Sequence, residues 1–337
     1  MKKIKILALP LGNYGLASSR TRVYEIFPRL DKNKIQSKIC KGAGLGFRGR
    51  ELEFIANAPF YDILFIQKSI SRRVLACAKL MKKLGKKIVY DLDDPSYMVW
   101  KECDEFTNIS DLVTVENEFN KKHCLKINPK VKVEIILGPI DFAHYSKSKK
   151  YRKKHDSVNI GWVGSANTSK NIHLIAKGID DAAKSAKGVG KKVKLIIIGG
   201  VPERVNYEFK FAEVEYRQWG LDKELKDLAD IDIGIMPIKN DTENKGKGGY
   251  KLLQYMAASI PCVATRVGVN KDLIEDDKNG LLIKENNSSQ EWAKKLFLMI
   301  KDEKFRNRAG KIGQARVKKY DIVPYCEKFE QVLLDLS

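Results

Sequence analysis

The sequence predicts an α/β protein of two Rossmann-like domains, each a doubly wound parallel sheet, facing one another across a cleft. Three observations carry this. Short apolar runs alternate with longer amphipathic stretches. The alternation runs through once, then restarts after a basic stretch near residues 144–156. At 337 residues, the chain exceeds one core of the commonest size. Apolar runs without polar alternation mark strands buried on both faces, as in parallel sheets covered by helices.

In the first series, residues 4–8 read as a strand. Val23, Ile26, Phe27 and Leu30 then recur at helical spacing. Residues 63–66 are the next strand, followed by a basic helix over 72–84 that Gly85 stops. Residues 87–90 form a strand running into Asp91, Leu92, Asp93, Asp94 and Pro95; 112–115 and 133–136 complete the series. The second series opens with a strand at 158–163 ending in Gly164 and Ser165, and a helix from about Asn171. Strands at 193–198, 231–236, 262–264 and 280–283 follow, with helices at 250–258 and 291–300 among them. The expected division is 1–150, 151–320 and a terminal segment 321–337.

Lys plus Arg is 63 and Asp plus Glu is 42, so the net charge is 63 − 42 = +21. Such an excess attracts nucleic acid, anionic lipid or phosphorylated substrates. No zinc-finger, RRM-type or recognition-helix signature accompanies it, which argues against specific nucleic-acid binding. The six cysteines, at 40, 77, 103, 124, 262 and 326, form no C-x-x-C pair. A zinc site or disulfide framework is therefore not expected, and reduced thiols fit a cytoplasmic protein. The basic start from Met1 leads into an apolar stretch too short for a signal peptide, broken by Pro10 and Gly12. No run of about 20 apolar residues predicts a transmembrane helix.

In open parallel sheets, ligands bind beyond the carboxyl ends of the strands. Four segments there carry candidate chemistry. After the first strand come Gly12, Gly15, Ser19, Arg20 and Arg22, where a serine-capped helix start beside two arginines would hold an anion; a turn with a solvated basic helix is the alternative. Asp91, Asp93 and Asp94 repel one another unless solvated, metal-bound or used, and Asp91-x-Asp93 has the form of a metal pair. Gly164, Ser165 and Lys170 open the second series in a loop small enough for a phosphate to approach the backbone, or a plain strand-to-helix loop. Finally, Lys245, Lys247, Gly248, Gly249, Tyr250, Lys251 and Gln254 place glycines and lysines before an apolar helix, an arrangement suited to a diphosphate, with a flexible basic loop as the alternative.

This last segment resembles a known family. KLLQYMAASIPCVA at 251–264, Val267 to Asn270, and Asn279-Gly280-Leu281 look like the donor half of glycosyltransferase family four, also called glycosyltransferases group one. GWVGS at 161–165, DIGIMP at 232–237, YDLDD at 90–94 and SDLVTVENEF at 110–119 agree. The resemblance implies the GT-B fold and a retaining, metal-independent glycosyltransferase of polysaccharide biosynthesis. It implies a nucleoside-diphosphate sugar in the C-terminal domain, an acceptor in the N-terminal domain, and a last helix, near 325–334, crossing back to the first domain. The family's E-x7-E motif falls on Gly246 and Gln254, so both carboxylates are absent, and its histidine falls near Asp93. A branch of the family carries a similar K-G-G-x-K-x-x-Q-Y-M-A pattern.

The expected reaction moves a hexose from a nucleotide sugar to a glycan or lipid-linked acceptor, with no cofactor and no metal. Asp93, Asp94 and Lys251 are the expected catalytic residues. Gly164, Ser165, Lys170, Lys245, Lys247, Gly248, Gly249, Tyr250 and Gln254 are expected to bind donor, and Gly15, Ser19, Arg20 and Arg22 acceptor. The large positive charge, with Arg72, Arg73, Lys79, Lys82 and Lys83 on one helix, points to the inner face of an anionic membrane; simple solubility or a generally basic proteome is the alternative. The alternatives are a sugar-nucleotide epimerase on the same scaffold, an inactive binding relative, and a non-enzymatic binder of polyanions.

Overall fold

A computed structural model describes residues 3–44 and 46–336; Met1 and Lys2, at the basic start, and Ser337, at the end of the terminal segment, lie outside them. The chain forms two compact units. The first comprises Met1–Pro139, Gly246–Gly248 and Tyr320–Ser337; the second comprises Ile140–Lys245 and Gly249–Lys319.

The first unit is built on β1 (Ile4–Leu9), β2 (Ile35–Ile39), β3 (Ile63–Gln67), β4 (Lys87–Leu92), β5 (Leu112–Val115) and β6 (Lys132–Ile135), in the order β2-β1-β3-β4-β5-β6. Every pairing is parallel. Alternate side chains serve opposite faces. Leu7, Leu9, Leu64, Ile66, Ile88 and Tyr90 pack with Phe54, Val74, Ala78, Phe106 and Cys124 from helices on one side. Ile6, Ala8, Phe65 and Val89 face the other, where the C-terminal helix Ile322–Leu334 lies in the same core. There Phe329 meets Phe27 and Phe65 edge-on, with ring centroids 5.9 and 5.7 Å away.

The second unit holds β7 (Ser157–Val163), β8 (Lys192–Ile198), β9 (Glu213–Arg217), β10 (Ile233–Met236), β11 (Cys262–Thr265) and β12 (Gly280–Ile283). Their order is β12-β11-β10-β7-β8-β9, again all parallel. The order reverses between β7 and β10, which makes their carboxyl ends the switch point where such sheets bind ligands.

Two differences from the expected organisation have physical causes. β2 and β9 are edge strands with most or all of their residues exposed or half-buried, only Ile35 being buried, so neither reads as an apolar run. Residues 140–150 belong to the second unit rather than to the first or a linker. Short helices Phe142–Tyr145 and Ser146–Tyr151 order them, Tyr145 and Ser148 are buried, and Lys149 donates to Gln314 Oε1. Among the described residues, no helix is long and apolar enough to cross a membrane.

Candidate functional site

In the second unit the site is set by helix Tyr250–Ala257. Gly249 caps its start with φ +72°, a left-handed conformation that other residues adopt only at a cost. Tyr255 then fastens the helix to β7: its hydroxyl accepts from the Val163 N–H at 3.0 Å and donates to the Gly161 carbonyl at 3.1 Å. Residues four apart share a helix face, so Lys251 is carried to the end of the same strand. Its ammonium lies 4.0 Å from the ring centroid of buried Trp162, in front of Gly164. Cation–π contact helps to hold an ammonium in place. The Trp162 indole N–H has no acceptor among the described residues.

The adjoining face of the helix carries Tyr250 and Gln254. Gln254 Nε2 donates to Tyr145 Oη and to Glu224 Oε1, both at 3.0 Å. Tyr145 Oη donates to Glu224 Oε2 at 3.1 Å and lies 3.3 Å from Tyr250 Oη. Trp219 Nε1 donates to Glu224 Oε1 at 3.2 Å. Burial, then the neighbouring Tyr250 and Glu224, push the Tyr145 pKa well up, so its hydroxyl stays a donor. Of the other expected donor residues, Ser165, Lys170 and Lys245 are exposed, and Lys247 is half-buried. Ser165 closes a turn onto Thr168 through its carbonyl, and Lys170 begins the short helix Lys170–His173.

In the first unit, acidic and basic groups gather at the carboxyl ends of β3, β4 and β5. Arg22 is buried and grips Asp91 with two guanidinium nitrogens, the Nε contact being 2.7 Å. It also donates to Glu116 Oε1 at 3.0 Å and to the Gly138 carbonyl at 2.8 Å. Thr114 Oγ1 donates to Asp91 at 2.6 Å. Lys68, at the end of β3, lies 2.7 Å from Asp93 and 3.1 Å from half-exposed Asp94. Burial opposes the charge of Lys68, but Asp93 and then Asp94 outweigh it and raise its pKa. Burial likewise opposes ionised Asp93, and Lys68 and Arg22 more than offset it. The Glu116 carboxyl is the exception: burial, only partly countered by Arg22, and the nearby Asp93 and Asp94 charges hold it well above the usual range.

Several expectations are corrected here. Arg20 and Arg22 are not free cations beside an acceptor; both are buried, and Arg22 is committed to Asp91 and Glu116. Ser19 does not cap a helix: it accepts from the Gly12 N–H and donates to Gln67, within a three-residue turn that opens into the π-helical segment Arg20–Tyr24. Gly15 is exposed in an Asn13 turn. Asp91 is neither solvated nor available as half of a metal pair, because Arg22 and Thr114 occupy it. Among the described residues, no group of three or more His, Cys, Asp or Glu is arranged to hold a metal.

Sequence reasoning missed Glu224 and Tyr145, which meet Gln254 only through folding, Trp219, which bonds Glu224, and Lys68, Glu116, Asn117 and Asn120 in the first unit. There Asn117 and Asn120 donate to the Gly246 carbonyl at 2.8 and 2.9 Å. A Cβ at 246 would lie 2.7 Å from Asn120 Oδ1, so this clasp leaves no room for a side chain where the family motif has glutamate.

Two six-stranded parallel sheets with flanking helices define the GT-B glycosyltransferase fold, and solved structures agree. Anabaena HepE in complex with UDP and glucose superimposes with a TM-score of 0.73 at 17% identity, over 98% of this chain and 99% of that one. A Rickettsia africae glycosyltransferase gives 0.68 at 13% identity, over 100% and 99% of the two chains. Sucrose-phosphate synthase from Thermosynechococcus elongatus gives 0.68 at 11% identity, over 99% of each chain. No curated protein sequence matches. The sequence profile described as glycosyl transferases group 1 matches residues 145–316, just over half the chain, and the protein belongs to that family. It is a glycosyltransferase.

Proposed function

We propose that the protein is a retaining hexosyltransferase that takes its sugar from a ribonucleoside diphosphate and passes it to a glycan or lipid-linked acceptor. The observation that carries the donor reading is the placement of Lys251. Its ammonium stands at the carboxyl end of β7, over Trp162 and beside Gly164, at the first turn of helix Tyr250–Ala257. Charge developing on a departing diphosphate is stabilised by just such fixed donors. Gln254, one turn on, offers its side-chain oxygen to a ribose hydroxyl. The UDP and glucose held by Anabaena HepE, which shares the fold, support a nucleotide sugar here too. Both Asp93 and Asp94 pair with Lys68, but Asp94 is half-exposed and so keeps the capacity to orient an acceptor hydroxyl, whereas Asp93 is buried. Reaction without a metal on the Asp91-x-Asp93 pair is supported by the commitment of Asp91 to Arg22 and of Asp93 to Lys68. The net charge of +21 supports work at an anionic membrane face, and the six cysteines, none of them in a disulfide, are consistent with the cytoplasm.

Calorimetry against UDP-, GDP- and dTDP-sugars, followed by incubation of the tightest donor with candidate acceptors, tests this reading. The expected product keeps the donor's anomeric configuration, and EDTA leaves the rate intact. Inversion, or loss of activity in EDTA restored by magnesium or manganese, would overturn the corresponding part. Conversion of the donor sugar with no acceptor present would favour an epimerase instead.

A further inference from the structure

The geometry points to Glu224 as a positioning residue of the donor site: it locks the Gln254 amide with its nitrogen turned inward, leaving the carbonyl oxygen to accept from the donor's ribose. This rests on the nucleotide-sugar reading above.

Glu224 opens the helix Glu224–Ala229 and is only 2% exposed. Its carboxylate receives three hydrogen bonds, all from neutral groups: Gln254 Nε2, Trp219 Nε1 and Tyr145 Oη. Among the described residues, no Lys, Arg or His forms an ion pair with it. Burying a carboxylate among neutral donors is costly, and packing alone does not call for it. What a carboxylate does, and an amide does not, is refuse to donate. The group facing Glu224 must therefore be the Gln254 NH2, and the reversed amide would set two acceptors against each other. Tyr145 adds to the lock. Its one proton goes to Glu224, so its oxygen accepts from the second Gln254 N–H at 3.0 Å, and Tyr250 donates to it in turn. Both amide hydrogens are thus spent. The remaining polar atom, Oε1, receives no hydrogen bond among the described residues. The fixed amide presents an acceptor of hydroxyl protons, as a carboxylate would, without its charge near the diphosphate.

With glutamine at 224, either orientation of the Gln254 amide finds partners, so the lock is lost while the packing volume is kept. The test uses the full chain, its Glu224→Gln and Gln254→Glu variants, and the double exchange Glu224→Gln/Gln254→Glu. Circular dichroism and thermal melting check folding. Calorimetry measures affinity for UDP and GDP, each with its 2′-deoxy and 3′-deoxy counterparts. Wild type is expected to prefer a ribonucleotide over one of its deoxy forms by about tenfold, the worth of one well-made hydrogen bond. Glu224→Gln should cut that ratio severalfold. The double exchange, with one acid and one amide again, should recover the ratio beyond Gln254→Glu, where two carboxylates face each other. If Glu224→Gln does not fold, Tyr145→Phe, which removes one acceptor of the amide nitrogen, should still lower the ratio. An unchanged ratio in folded Glu224→Gln, or a double exchange no better than Gln254→Glu, overturns the positioning role alone. Failure of wild type to bind any nucleotide overturns the donor reading and this inference with it.

Discussion

Lys251 and Arg22 are both half-buried or buried cations near strand ends, yet their situations differ in kind. Arg22 is paired with buried Asp91 and also bonds Glu116, so its work is internal. Lys251 rests on the face of an indole at the carboxyl end of β7, the place where the donor reading puts the diphosphate. Lys251→Ala is therefore expected to weaken nucleoside-diphosphate binding by about 1.5–3 kcal/mol, the worth of a charge-assisted contact. Calorimetry with UDP and GDP, beside an unchanged melting temperature, checks this; equal affinity in the folded variant would remove Lys251 from the phosphate site. Lys251 was legible because glycines and lysines before an apolar helix form one continuous stretch. Glu224 was not, because it meets Gln254 across 30 residues and reads in sequence as the start of an ordinary solvated helix. Arg22 misled for a related reason: its partner Asp91 lies 69 residues away, and nothing local announces the pair.

Among elements, helix Tyr250–Ala257 matters most, and one residue sets its place. The Tyr255 hydroxyl serves both a buried N–H and a carbonyl of β7, and its ring fills the space beside Gly234, where a Cβ would lie 2.5 Å from it. Tyr255→Phe keeps the ring but leaves Val163 N–H and Gly161 carbonyl without that partner. The expected loss is about 1–3 kcal/mol of folding stability, the penalty for unsatisfied buried groups. Nucleotide affinity should also fall, because Lys251 shares the face that Tyr255 anchors. Urea unfolding and calorimetry test the two effects together; wild-type affinity in a destabilised variant would show that the helix keeps its position without the tyrosine. This element was visible in the sequence because its buried face is a dense apolar stripe: Leu252, Leu253, Tyr255 and Met256 are all buried. The inner strands were visible for the same reason, since both their faces are covered and they read as runs. β2 and β9 escaped because these two edge strands are exposed or half-buried along nearly their whole length and carry polar and charged residues there.

For the molecule as a whole, the net charge of +21 has to be located before it can be assigned a role. Helix Arg72–Lys83, the expected membrane-facing element, is largely compensated: Arg72 pairs with Glu102 at 3.0 Å, Lys79 with Glu105 at 3.1 Å and Lys82 with Asp111 at 3.4 Å. A denser reserve lies in the second unit. Arg152, Lys153, Lys154, Lys191, Lys192 and Arg306 line a cavity of about 420 Å³ near the starts of β7 and β8, with only Asp156, Asp232 and Glu303 as acidic neighbours. Anionic lipid surfaces attract such clusters over roughly a Debye length, about 8 Å at physiological salt. The protein is therefore expected to float with vesicles rich in anionic lipid at low salt and to be released as salt rises. Charge reversal at Lys153, Lys154, Lys191 and Lys192 should abolish flotation, while reversal at Arg73 and Lys83 should only weaken it. The opposite ranking would return the contact to the first unit's helix. Indifference of the wild-type protein to anionic vesicles at both salt levels would remove the membrane from its function and leave the glycosyltransferase assignment standing.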